Sequence, residues 1–126
     1  MRVAPNPSVI SWLNSADANE LFLPSIAIAE IAYGLQVLPE GKRRQEITTR
    51  FVQFLNLGFS HRVLAFDEEA AFAYGDLMAT ARQRGRPMNI PDGQIAAIAK
   101  SQGMNLASRN VDDFDTTGLT LINPWS

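Results

Sequence analysis

Apolar residues along this chain alternate between short compact runs and longer stretches spaced three and four apart. Leu21, Phe22 and Leu23 form one compact run, stopped by Pro24, and predict a buried strand. From Ser25, the positions Ile28, Ile31, Ala32 and Leu35 recur at helical spacing. Pro39 and Gly41 punctuate, and Ile47, Phe51, Phe54, Leu55 and Leu57 then predict a second amphipathic helix running to about Gly58. A strand over 62–66 follows, and Asp67 is placed as the N-cap of a long helix to about Arg84, with Glu68 and Glu69 where the helix dipole favours acids. The 85–91 stretch reads as a loop and 91–102 as an alanine-rich helix, with Gly103 as its C′ residue. Short strands over 104–107 and 119–122 flank a loop over 108–118 that is rich in Asp, Asn and Thr. A short helix over 5–14, with Pro7 and Ser8 as start signals, precedes all of these.

Strands alternating with helices of ten or more residues predict an α/β domain with a mainly parallel sheet, and 126 residues predict a single domain over 1–126. In such sheets a ligand site lies beyond the carboxyl ends of the strands, so residues just after each strand are the ones to weigh. Composition narrows the chemistry. With 46% hydrophobic and 19% charged residues, the chain is too apolar for disorder and too interrupted for a membrane span. The absence of cysteine excludes thiol nucleophiles, thiolate zinc sites and disulfides, and the lack of a basic-then-apolar start predicts a cytoplasmic protein. His61 is the single histidine and cannot build a multi-histidine metal site. A net charge of -2 argues against a generally basic nucleic-acid surface. Two local clusters, Lys42 to Arg44 and Arg82, Arg84 and Arg86, fit either phosphate contacts or solvated helix ends.

Three acidic positions follow strands. Glu30 lies among Ile26, Ile28, Ala29, Ile31 and Ala32, so its carboxylate is expected to be partly buried, unless it reaches solvent at the edge of the apolar stripe. Asp92 stands three residues after Asn89 in a capping-box pattern, and Gly93 beside it would permit a close approach. Asp112 or Asp113 falls in a loop where turn formation is itself a sufficient reason for acids. Two or three carboxylates with Asn110, and neither histidine nor cysteine, suit the oxygen-only coordination of magnesium or manganese. Ser25 and Ser108 lack a base to activate them and read as capping or supporting residues.

The ordered pieces Ser25-Ile-Ala-Ile-Ala-Glu30-Ile-Ala-Tyr-Gly34, Phe66-Asp67, Pro91-Asp92-Gly-Gln-Ile-Ala-Ala-Ile-Ala99, Ser108-Arg-Asn110-Val-Asp-Asp113-Phe114 and Leu121-Ile-Asn-Pro-Trp125 resemble the PIN-domain ribonuclease toxins of the VapC/FitB type over nearly the whole chain. The resemblance implies a three-layer α/β/α fold and a Mg2+- or Mn2+-dependent endoribonuclease, usually dimeric and held inactive by a cognate antitoxin. It places Glu30, Asp92 and Asp113 as catalytic acids and metal ligands, with Asn110 in the same polar cluster. Arg82, Arg84, Arg86 and Arg109 become candidates for RNA contacts. Contact with DNA is implied only through the antitoxin.

The sequence departs from that pattern at its start. Members of the family begin with a strand ending in an Asp-Thr-Asn type motif that supplies the first metal carboxylate, and this strand is missing ahead of Met1. A start placed at an internal methionine and a truncated copy are the two explanations. Without the strand, its two neighbours in the sheet would lose backbone partners, the metal would lose a carboxylate, and cleavage by the chain as written is expected to be weak or absent. An impaired domain that still binds an antitoxin within a DNA-bound repressor complex is therefore the alternative function.

Overall fold

The computed structural model describes residues 21–124; the helix expected over 5–14 and the closing Trp125 lie outside the described residues. Strand β1 (Leu23–Pro24) runs directly into helix α1 (Ser25–Gln36). Helix α2 (Lys42–Gly58) starts after Gly41, whose φ of 147° suits glycine. Then come strand β2 (Val63–Leu64), helix α3 (Glu68–Gln83), helix α4 (Ile90–Ser101), strand β3 (Leu106–Ala107), a 3-10 helix (Val111–Phe114) and strand β4 (Leu121–Ile122).

The capping signals act as their chemistry dictates. Asp67 accepts from the Ala70 N–H at 2.9 Å and opens α3; Asn89 accepts from the Asp92 N–H at 2.9 Å and opens α4, with Pro91 in the first turn. Gly103 follows α4 at φ 66°, the left-handed C′ conformation expected of it.

All pairing among the described residues is parallel. Leu23 is in register with Val63 and Leu106 with Leu121, which makes two separate two-stranded sheets, β1 with β2 and β3 with β4. The described residues thus show the expected α/β architecture with parallel strands, arranged as two pairs. Each described ladder is two residues long, so the strands are shorter than the apolar runs that announce them.

The core is built from α3 and α4. Ala70, Leu77 and Ala81 meet Ala96, Ala97 and Ile98, with Leu106 and Phe114 closing the cluster. Small side chains let the two helices approach closely. Gly93 is part of that contact, because a Cβ there would collide with the Met78 Sδ and stand 3.0 Å from Tyr74 Cε2. The space beside Asp92 is thus taken by α3, not left for a ligand. By contrast α1 buries only Leu35, and α2 buries none of its residues. No described helix is long and apolar enough to cross a membrane.

Candidate active site: an acidic cleft at the head of α4

The first turn of α4 and the 3-10 helix face one another across a cleft of 480 Å³. Asp92 enters from α4, and Asp112, Asp113 and Asp115 from the other wall. Local chemistry fixes both walls. On one side the Asn89 cap sets the start of α4 and so places Asp92 in its first turn. On the other, Ser108 Oγ accepts from the Asn110 N–H at 3.1 Å, and the Asp113 N–H donates to the Asn110 carbonyl at 3.1 Å, which winds the chain into the short helix. Phe114 is buried beneath that helix and anchors it to the core. The buried Thr117 hydroxyl donates to the Phe114 carbonyl at 2.6 Å and accepts from the Leu119 N–H at 3.2 Å, so its polar group is satisfied where water is excluded.

Charge in the cleft is unevenly compensated. Burial raises the Asp92 carboxyl above its ordinary value of 3.8, and repulsion from Asp113 raises it further. A hydrogen bond from the Asn89 side chain pulls the other way. Asn89 therefore serves two ends: its side chain caps the α4 backbone and supports the ionised form of Asp92. Asp115 has its own counterion, since Arg86 Nη1 lies 2.9 Å from Asp115 Oδ2 while Arg86 Nη2 donates to the Asp112 carbonyl at 3.2 Å. Asp92 and Asp113 are left as the pair that repel each other. A hard divalent cation between oxygen donors relieves such repulsion, and the donor set suits magnesium-like ions rather than zinc.

The sequence-derived candidates separate into two groups. Asp92 and Asp113 are brought together, and Arg86 joins them on the rim. Glu30 is exposed on α1, which corrects the expectation of a partly buried carboxylate, and it is not among the residues lining the cleft. The apolar residues around it in sequence do not enclose it, because a helix carries neighbouring side chains to different faces. Asn110 is exposed and contributes its backbone to the turn. Arg82 and Arg84 lie at the exposed end of α3, and the Arg109 carbonyl accepts from Asn123 Nδ2 at 3.4 Å. Among the described residues, no three His, Cys, Asp or Glu side chains are grouped so as to hold a metal ion.

Sequence reasoning missed the Arg86–Asp115 pair and the second role of Asn89. Arg86 was visible as one cation in a cluster, but nothing in the linear text joins it to an acid 29 positions later.

Comparison with known proteins agrees with this fold. The PIN domain model matches residues 5–118. VapC ribonuclease Y4jK of Sinorhizobium fredii is 36% identical over 124 residues, covering 98% of this chain and 89% of that protein. The crystal structure of FitAcB from Neisseria gonorrhoeae superposes with a TM-score of 0.91 at 32% identity, covering 98% of this chain and 89% of that one. The structure of FitAB bound to the IR36 DNA fragment gives 0.92 at 33% identity, covering 99% of this chain and 87% of that one. The chain belongs to the PIN-domain family.

Proposed function

We infer that this protein is a ribonuclease toxin of a toxin-antitoxin module, hydrolysing RNA phosphodiester bonds with carboxylates that hold a divalent ion. The observation that carries the reading is the Asp92–Asp113 pair, two acids brought together in a cleft by independent local devices, with no cation among the described residues paired with either. A protein selected for stability alone would not keep uncompensated like charges together. The relative named a VapC ribonuclease supports the reaction class, and the FitAB complex with DNA supports an antitoxin partner through which DNA is contacted.

Asp92 and Asp113 are the residues that would seat the ion, Mg2+ or Mn2+, and Glu30 is the third acid in this proposal, carried by a helix that packs against α4. A divalent ion held there supplies Lewis-acid chemistry and an activated water for attack at phosphorus. The chain contributes the rest. Asp92 must lose its proton before it can act as a ligand, and Asn89 favours that loss. Arg86 stands on the rim where a phosphate would arrive, and Arg82, Arg84 and Arg109 are exposed cations suited to the flanking RNA backbone. The site of action follows the substrate, in the cytoplasm.

A second reading is favoured by the small number of converging acids among the described residues. Two carboxylates hold a divalent ion more loosely than three or four, and a domain so limited would serve mainly as an antitoxin-binding module in a repressor complex. The exposed apolar side chains of α1 and α2, among them Tyr33, Val37, Phe54 and Leu57, suit a partner helix or extended tail. Growth arrest on expression, abolished by Asp92→Asn and by Glu30→Gln, supports the nuclease. Toxicity unchanged by both substitutions refutes it, and absence of toxicity with retained antitoxin capture establishes the binding module.

A further inference from the structure

The segment between α3 and α4 fixes where Arg86 stands. The Arg86 N–H donates to the Ala81 carbonyl at 2.9 Å and the Gly85 N–H to the Arg82 carbonyl at 3.1 Å, with Gly85 at φ 70°, the paired closure by which a helix ends on a left-handed glycine. Two residues on, Met88 is buried in the core cluster, and Asn89 then caps α4. The backbone at Arg86 is thus tied to the side of the cleft that carries Asp92. From this base the guanidinium crosses to the opposite wall and grips it at two points. Nη1 pairs with the Asp115 carboxylate at 2.9 Å, and Nη2 donates to the Asp112 carbonyl at 3.2 Å. Asp112 and Asp115 bracket Asp113 in the chain, so the grip spans the residue whose carboxylate repels that of Asp92. Elsewhere the same wall is held from behind, by buried Phe114 and by Lys100 Nζ of α4, which donates to the Thr117 carbonyl at 3.1 Å.

Neither stability nor charge accounts for this arrangement. Both side chains of the Arg86–Asp115 pair are half-exposed, and ion pairs in such settings add little to stability. Charge alone makes Arg86 a misfit, because a cation on the rim of a cleft that seats a divalent ion opposes the arrival of that ion. Position resolves the conflict. Like charges on Asp92 and Asp113 push the two walls apart, and a side chain bonded across the mouth resists that push. Asp115 satisfies the guanidinium at the rim, away from the repelling pair, and the planar fork of arginine reaches a carboxylate and a carbonyl at once.

We propose that Arg86 is a positioning residue: bonded to Asp115 and to the Asp112 carbonyl, it straps the wall that carries Asp113 at the separation from Asp92 that a divalent ion requires. This rests on the reading of Asp92 and Asp113 as the seat of that ion. Calorimetric titration of Mn2+ into the full chain, without RNA, gives charge and position opposite signs. If charge alone acted, removing a nearby cation by Arg86→Gln would tighten Mn2+ binding; loss of the strap should instead weaken it about tenfold. In an Asp115→Asn background, where the strap is already cut at its carboxylate end, Arg86→Gln should lose most of that effect. Amide hydrogen exchange in EDTA reads the wall without metal. With Arg86→Gln the Asp113 N–H, bonded to the Asn110 carbonyl, should exchange severalfold faster, while the amide of buried Ile98 in α4 keeps its wild-type rate. Mn2+ affinity in folded Arg86→Gln equal to or above that of the wild type, or an undiminished effect in the Asp115→Asn background, overturns the strap and leaves the seat standing. A wild type that binds no Mn2+ refutes the seat, and exchange then decides the strap by itself. In either case an unchanged rate at Asp113 overturns it.

Discussion

The two helical pairs of this molecule obey different economies of surface. In the α3–α4 pair, alanines, Gly93 and Ile98 interlock, and the helix starts are fixed by Asp67 and Asn89 through side-chain hydrogen bonds. In the α1–α2 pair neither N-cap makes a side-chain bond, three cations crowd the first turn of α2, where the dipole disfavours them, and Leu57 is 88% exposed. The difference matches where the proposed function would place each role. Carboxylates that repel one another need a rigid support, and Asp92 stands on the better-packed pair. A face that must accept a partner needs unsatisfied apolar surface, and that is what α1 and α2 offer.

The comparison breaks first, and with the largest effect, on packing. Ile98→Ala should destabilise the fold by about 2–5 kcal/mol, because Ile98 is 1% exposed in the core and its truncation would leave a cavity that the surroundings fill only in part. Leu57→Ala should change stability by less than about 0.5 kcal/mol. Thermal or urea melts of the two variants test this directly, and equal losses would erase the distinction between the pairs.

Cleavage should divide the same way. Asp92→Asn or Asp113→Asn should each lower RNA hydrolysis on the order of 100-fold, since in the proposed mechanism several kcal/mol of transition-state charge stabilisation would pass through a divalent ion that these acids hold. Leu57→Asp should leave hydrolysis unaltered while weakening antitoxin binding about tenfold, as expected for one contact on an apolar docking face. Cleavage assays beside calorimetric titration with the antitoxin separate the two roles.

The smallest effect is electrostatic. A carboxyl raised in the folded state keeps its proton at a pH where the unfolded chain has released it, so the folded form binds more protons there. Stability contributed through Asp92 should therefore decline as pH rises from about 3.8 through the raised value. Asp113→Asn removes one cause of the rise, and in EDTA it should flatten this decline and stabilise the fold at pH 7 by about 0.5 kcal/mol or less. Melts between pH 3.5 and pH 7 in EDTA show it, and a variant less stable at pH 7 would mean that the two acids do not repel.

Much of this was legible in the amino-acid text, and the failures have physical causes. Helix starts were readable because Asp67 and Asn89 act on residues three positions away, a local matter. The parallel strands were readable as apolar runs, but not their two-residue length, which depends on which edges find partners. The 3-10 helix inside the expected 108–118 loop escaped because turn-forming residues suit both. At the site, Asp92 and Asp113 were singled out in advance, while Glu30 was expected to be half-buried on the strength of sequence neighbours that do not surround it. The Arg86–Asp115 bridge and the company Asp92 keeps are tertiary facts, set by the packing of α4 and by Phe114 beneath the opposite wall.

The central claim, that Asp92 and Asp113 together seat a divalent ion, is tested most directly by calorimetric titration of Mn2+ into the full chain and its Asp92→Asn and Asp113→Asn variants at neutral pH. Binding by the wild type that is lost in both variants and weakens as the pH is lowered is the predicted result. Equal affinity in all three proteins would contradict it.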